Sequence, residues 1–361
     1  MSAVVLPDFA AFLDWLDAHA EAIDTDATLA SALLPRLGAS GVLRVGVPPA
    51  HGGLGGTASE AIEVLATVAE HSLAAAFVFW GQRAFIEYLL QSPNAALAQR
   101  WLPALLNGDL AGATGLSNAM KYLSDIEPLS MHAERREAHW HLHGSLPWIT
   151  NLRPEGFLAA AAFDRADGMP AAIFAVPHDA PGVTRSADLD LIALRASNTA
   201  ALRLDDTRLD DSWLISADAP HWLAEVRPAF LGLQCGMSIG LARRALQQVE
   251  TAGPGSRAAL AAEAASLGAR LKELAGVLLA GVQDGRFRGQ PAAMFELRIE
   301  LAAVVAAAVG LEVQASGGRG YLRGQCGTAR RAREAAFVPI ITPSLVQLKQ
   351  QLARHRAQAE A

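Results

Sequence analysis

The sequence predicts an α+β protein in three consecutive parts: an N-terminal helical domain, a middle β-barrel-like domain and a C-terminal four-helix bundle. Three observations lead there. Apolar residues recur at helical spacing to about residue 110. The chain then turns to short apolar runs cut by Pro and Gly, and long Ala/Leu-rich helical stretches resume after Trp222. The expected domain boundaries are 1–111, 112–216 and 217–361.

In the first part Phe9, Phe12, Leu13 and Leu16 share one helical face. So do Ile62, Leu65, Ala66 and Ala69, and again Phe85, Tyr88 and Leu89. Between the second and third helices, Val47 to Gly56 reads Val-Pro-Pro-Ala-His-Gly-Gly-Leu-Gly-Gly, a loop whose composition rules out a helix. Ser92-Pro93 ends one helix and starts the next, with Pro93 near a first-turn position.

The middle part holds buried strands at Phe157–Phe163 and Ala171–Val176, and an alternating one at Ala200–Leu204. Trp140 to His143 also alternates, and it leads into Gly-Ser-Leu-Pro-Trp-Ile-Thr-Asn at Gly144–Asn151. There Trp148 and Thr150, two residues apart, fall on one side of an extended backbone. A flat indole beside a hydroxyl suits a planar heteroaromatic ring, stacked on Trp148 and bonded at one edge by Thr150. The alternative is an ordinary strand with a buried Trp.

The last part offers helices at Arg227–Glu250, Ala258–Asp284, Pro291–Ser316 and Thr328–His355, broken at Gly253-Pro254-Gly255 and Gly285–Gly289. Four such helices suggest a bundle whose apolar faces favour self-association.

Composition bounds the function. Of 361 residues, 52% are hydrophobic and 18% charged, which is ample for a large core. The net charge of −6 and the lack of long basic runs exclude a nucleic-acid surface. Cys235 and Cys326 match no metal or redox spacing and fit a reduced, cytoplasmic setting. Met1–Asp8 lacks the basic start of a signal peptide, and the longest Ala-rich stretches carry charges, so no membrane association is expected.

Several stretches, in this order, resemble the acyl-CoA dehydrogenase superfamily from about residue 8 to 350. Val47–Gly55 is similar to its Pro-x-x-x-Gly-Gly-x-Gly loop, and Trp101–Leu105 with Asn107-Gly108 to its Leu-Pro-x-Leu-x-x-Gly segment. Trp148-Ile149-Thr150-Asn151 matches the family's flavin-contacting Trp-Ile-Thr-Asn. Arg195–Thr199 and Leu204–Leu209 resemble the strand pair closing the β domain. Gly240–Leu246 resembles the first bundle helix, and Gln314–Tyr321 fits Gln-x-x-Gly-Gly-x-Gly-Tyr.

The resemblance implies FAD, with FMN or a reduced flavin as alternatives, and a flavin-dependent oxidoreductase. Trp148 would stack on the isoalloxazine and Thr150 would bond N5. Leu116 and Ser117 would offer an amide and a hydroxyl to the pyrimidine edge, where donors stabilise charge on reduced flavin. Gln314, Gly317, Gly318 and Gly320 would approach the dinucleotide of a neighbouring subunit in a homodimer or homotetramer. The implied substrate is a small molecule, such as an acyl-CoA or an acyl-carrier thioester.

Three departures qualify this. Thr342 falls where most members place the catalytic Glu, and a hydroxyl is far too weak a base for the α-proton of a thioester. In members with the Glu on the first bundle helix, the matching position is near Phe230; Glu225, more than a turn away, is the fallback base. The glycine-rich pyrophosphate loop is replaced by Asn118–Asp125, of which Ser124 and Asp125 resemble the tail. The Arg-x-x-Phe-Gly after the first bundle helix is missing, with Arg257 near its place.

The leading expectation is therefore a flavin oxidoreductase that has left α,β-dehydrogenation, for example using reduced flavin from a partner reductase in a monooxygenase-like manner. The alternatives are a true acyl-CoA dehydrogenase with a relocated base, and a non-catalytic homologue or partner subunit. A cleft filled by Phe230, Ile341 and Leu345 would favour the last. His139, His141 and His143 alternate on one strand face but have no carboxylate or Cys at a ligand spacing, so they read as an exposed face and no metal is expected. Arg243-Arg244 and Arg330-Arg331-Arg333 read as solvated faces or subunit contacts, and Arg195 as equally placed for a site mouth or a structural pair.

Overall fold

The computed structural model of the chain describes residues 6–123, 126–322 and 327–360. Helices α1 (Phe9–Thr25), α2 (Ala30–Ala39), α3 (Ala58–His71), α4 (Leu73–Leu90) and α5 (Ala95–Asn107) form the N-terminal part. Helix α3 starts at a capping box: Thr57 Oγ1 accepts from the Glu60 N–H, and Glu60 Oε2 accepts from the Thr57 N–H at 2.7 Å. Ser72 caps α4 with its side chain alone: its Oγ accepts from the Ala75 N–H at 3.2 Å. Helix α4 is long and apolar enough to cross a membrane by composition, but nearly all of it is buried among the other helices as the central core element.

Two local expectations change here. The loop at residues 47–56 contains a one-turn 3-10 helix at Pro49–His51, because Pro48 and Pro49 pre-set the required φ. Pro93 precedes α5 rather than entering its first turn: Asn94 is the cap and accepts from the Leu97 N–H.

From Ala111 the chain forms β1 (Ala111–Thr114), the short helix α6 (Ser117–Tyr122), then β2 (Met131–Arg136), β3 (His139–Ile149), β4 (Phe157–Arg165), β5 (Ala172–Pro177), β6 (Val183–Asp188), β7 (Ala200–Leu209) and β8 (Leu214–Ser216). They make one sheet in the order β6-β7-β3-β2-β4-β5-β8, with β1 parallel to β4. Gly144 sits at a register shift between β3 and β7 with φ +128°, and an added Cβ would lie 2.4 Å from the Ser130 carbonyl. Arg195–Ser197, expected as part of a strand, is a 3-10 turn, because Leu194 and Asn198 on either side adopt left-handed backbone.

The C-terminal part comprises α7 (Ala219–Glu250), α8 (Pro254–Gln283), α9 (Pro291–Ser316), α10 (Thr328–Phe337) and α11 (Leu345–Glu360). Helix α7 starts eight residues earlier than expected, running through Pro228. The stretch expected as one helix over Thr328–His355 is two. Pro339 and Pro343 deprive it of backbone donors, and the segment between them turns through a cis Thr342–Pro343 bond. Helix α7 packs against α3 through glycines four residues apart. A Cβ on Gly232 would meet Ile62 Cδ1 at 2.7 Å, one on Gly236 the Ile62 carbonyl at 2.9 Å, and one on Gly240 the Ala66 carbonyl at 2.0 Å. The two backbones touch at Gly236 and Gly240.

Candidate functional site

The end of β3 is anchored by two buried amides. Gln82, on α4, donates from Nε2 to the Leu105 and Leu110 carbonyls at 2.8 and 3.0 Å. Its Oε1 accepts from the Gly112 N–H at 2.6 Å and from Asn151 Nδ2 at 2.9 Å. Asn151 Nδ2 also donates to the Gly112 carbonyl at 3.0 Å, and the Asn151 N–H donates to Ser197 O. Asn151 holds a left-handed φ of 63°, which Asn tolerates better than most residues. These bonds tie α4, β1 and the end of β3 into one junction.

Trp148 and Thr150 stand at this junction with different surroundings. A register shift between Leu146 and Ile149 breaks the expected alternation, so Thr150 is buried while Trp148 is 57% exposed. The Thr150 hydroxyl lies 3.2 Å from Thr199 Oγ1, which is 2.8 Å from Ser197 Oγ. An exposed indole next to a buried chain of hydroxyls is a platform with an adjustable donor at its edge.

Leu116 and Ser117 begin α6. Leu116 is fully buried, and the first N–H groups of the helix have no intrahelical partner and no side-chain cap. Ser117 Oγ donates to Thr342 Oγ1 at 2.9 Å, so the structure joins two positions that lie 225 residues apart. The Thr342 carbonyl accepts from Gln234 Nε2 at 2.9 Å. Neither partner of Thr342 is a carboxylate. Glu225 does not join them: it is exposed, 3.1 Å from Arg288 Nε, and lies about 140° around α7 from Phe230 at 100° per residue.

Inside, aromatic rings fill the space between α4, α7 and α10. Phe77 stacks on Trp80 at 5.6 Å and meets Phe337 edge-on at 4.6 Å; Trp80 and Tyr88 both contact Phe230. Phe230 and Ile341 are buried and Leu345 is half-buried. Burial pushes the Tyr88 phenol up, so it stays protonated, with its hydroxyl 2.9 Å from Thr114 Oγ1.

Gln314, Gly317 and Gly318 are exposed at the end of α9, and a Cβ on either glycine would meet nothing within 4 Å among the described residues. Gly320 is buried, and there a Cβ would lie 2.7 Å from Ser316 Cβ. Ser124, Asp125 and Cys326 lie outside the described residues. Cys235 is a buried free thiol, its pKa pushed up to about 11 by desolvation. Arg195 pairs with Asp190 at 2.8 Å. The expected isolation of the strand histidines is corrected: Asp206, brought over on β7, lies 2.7 Å from His141 and 3.4 Å from His143. No metal-binding cluster occurs among the described residues.

Residues 10–109 match the model for "Acyl-CoA dehydrogenase, N-terminal domain". Isovaleryl-CoA dehydrogenase, mitochondrial, of Pongo abelii is 29% identical over 179 residues, which is 48% of this chain and 42% of that protein. The chain therefore spans less than half the length of this curated relative. The solved structure of FkbI, described for biosynthesis of the methoxymalonyl extender unit of a polyketide, superposes with a TM-score of 0.83 at 22% identity, covering 97% of this chain and 99% of that one. KijD3 in complex with FMN and a dTDP-linked amino-keto sugar superposes at 0.81 with 21% identity, covering 98% and 93%.

Through its N-terminal domain and these relatives the chain is similar to the acyl-CoA dehydrogenase superfamily. The expected order of helical part, sheet and helical bundle is the fold these structures share. The residues that fit a flavin are the open Trp148 face, the Thr150 hydroxyl and the uncapped start of α6 at Leu116 and Ser117. Sequence reading missed Gln82 and gave Asn151 no role. A Gln on an apolar helix 30 residues before a strand carries no periodic signal of its partners.

Proposed function

We propose that this chain is a flavin-dependent oxidoreductase of acyl-CoA dehydrogenase type that does not carry out α,β-dehydrogenation. The observation that supports this is the Ser117–Thr342 hydrogen bond: the sequence resemblance assigns Thr342 to the usual base position, and its side-chain partner is a hydroxyl. A flavin would supply hydride or electron transfer. This chain's residues would orient it: Trp148 against the ring face, Thr150 at its edge, Leu116 and Ser117 at the pyrimidine end. Ser124 is retained as a further contact. Removing an α-proton needs a group with a pKa near the working pH, and neither hydroxyl qualifies.

FAD is the proposed cofactor, with FMN or a flavin supplied reduced by a partner reductase as the alternatives. The KijD3 complex with FMN supports keeping that alternative. The proposed substrate is a small molecule, an acyl-CoA or acyl-carrier thioester among the candidates. We place the protein in the cytoplasm as a homodimer or homotetramer, with Gln314, Gly317, Gly318 and Gly320 facing a neighbouring subunit's cofactor. The open surroundings of Gly317 and Gly318 support that placement.

One observation favours a second reading, a non-catalytic homologue: Phe230 and Ile341 are both buried, Phe230 against Trp80 and Tyr88. The test for both is a visible spectrum with FAD and with FMN, followed by saturated acyl-CoA under anaerobic conditions. Flavin binding without bleaching is expected. Bleaching by acyl-CoA would overturn the non-dehydrogenase reading, and no binding of either flavin, oxidised or reduced, would leave the non-catalytic one.

A further inference from the structure

Arg298, in the middle of α9, is completely buried. Its Nε donates to Gln234 Oε1 at 2.8 Å and its Nη2 to the Val338 carbonyl at 2.6 Å. Its Nη1 is buried and has no hydrogen-bond partner among the described residues. Buried cations are ordinarily matched by a carboxylate, as the chain does nearby with Arg331–Glu312 and Arg330–Glu334. No carboxylate bonds Arg298 among the described residues. Its neighbour Cys235 supplies no counter-charge, since burial keeps that thiol protonated at neutral pH.

Desolvation pulls the Arg298 pKa down, yet a guanidinium does not lose its proton in a protein. The positive charge therefore stays, in an interior where a lone charge is strongly disfavoured. Beside it lies a small cavity of about 10 Å3, room for roughly one water-sized particle. Apart from Arg298 and Gln234, its walls include Leu73, Met237, Phe337, Ile341 and the buried Ser238.

We propose that this cavity binds one small monovalent anion of halide size, held by Arg298 Nη1 with Ser238 at its wall. A water would satisfy the N–H but leave the charge uncompensated. Sulfate, phosphate and carboxylates exceed the space. The apolar walls suit a weakly hydrated ion such as chloride or bromide. The site is coupled to the Thr342 segment, because the same guanidinium holds the Val338 carbonyl and, through Gln234, the Thr342 carbonyl. It stands on this geometry and not on the flavin reading.

The test is thermal melting of the full chain in sodium bromide against sodium gluconate at matched ionic strength. The wild type should show a saturating rise in Tm with bromide, and Arg298→Met should show none. Should that variant fail to fold, Ser238→Leu fills the cavity while keeping the arginine, and it should also lose the bromide response. Anomalous diffraction from bromide-soaked crystals should show one peak within hydrogen-bond distance of Nη1. A bromide response shared by wild type and variants, or a water at that position in the soaked crystal, would overturn the proposal.

Discussion

Replacing Gln82 by Leu tests whether the buried amide junction holds the end of β3. The side chain is fully buried and serves four partners: the carbonyls of Leu105 and Leu110, the Gly112 N–H and Asn151 Nδ2. Leu is of similar size, so the change removes bonds with little change in volume. A stranded buried polar group costs about 1–3 kcal/mol. The Leu105 carbonyl keeps the Gly108 N–H and Asn151 keeps the Gly112 carbonyl, so two groups are stranded outright, and at about 2 kcal/mol each the loss is roughly 4 kcal/mol. An unfolding entropy of about 2.1 cal/mol/K per residue, over a chain of 361 residues, converts this to a fall in Tm of about 5 °C. The assay is calorimetry with and without FAD, paired with a flavin titration. A fall below about 1 °C would refute the assigned partners. A full fall with unchanged flavin affinity would refute the claim that the junction positions Trp148 and Thr150.

Three further outcomes are expected. Trp148→Ala should leave the unfolding free energy within about 0.5 kcal/mol of wild type, since the ring is largely exposed, but should weaken flavin binding; equal affinity in the titration would remove the stacking assignment. Asp24, on α1, has its pKa pushed up to about 6 by burial and by the nearby Glu334, despite bonds from the Leu194 N–H and Arg333. The folded protein thus binds this proton more tightly than the unfolded chain. Stability falls as pH rises from about 4 to 6, by roughly 3 kcal/mol relative to Asp24→Asn, and parallel Tm profiles of the two proteins across pH 4–7 would contradict this. Gly240→Ala puts a Cβ 2.0 Å from the Ala66 carbonyl and should cost about 1–3 kcal/mol or more in a denaturant melt; a neutral result would show that the seam can part.

Much of this architecture was readable from local signals. The change at Ala111, the span of α9 and the strand at β4 all follow from periodicity and Pro/Gly punctuation, which act over a few residues. The break between α10 and α11 was also written in Pro339 and Pro343, but the charged, helix-forming flanks from Thr328 to Glu334 and from Gln347 to His355 outweighed it. The placement of Trp148 was half legible: the motif marked the position, while the register shift that exposes the ring depends on pairing with β7, more than 50 residues away. Gln82, Gln234 and Arg298 gave no signal at all. Each sits in a run that reads as ordinary amphipathic helix, and its importance comes only from what the fold brings opposite it.

The glycine seam between α3 and α7 has a mechanical consequence. Where it is made by backbone against backbone, at Gly236 and Gly240, the contact has little room to adjust by rotamer changes, so it slips or separates rather than loosening gradually. The helical core behind the site therefore behaves as a fixed frame. Whatever opening admits a ligand must come from parts outside that frame, the end of β3 and the proline-flanked turn that carries Thr342.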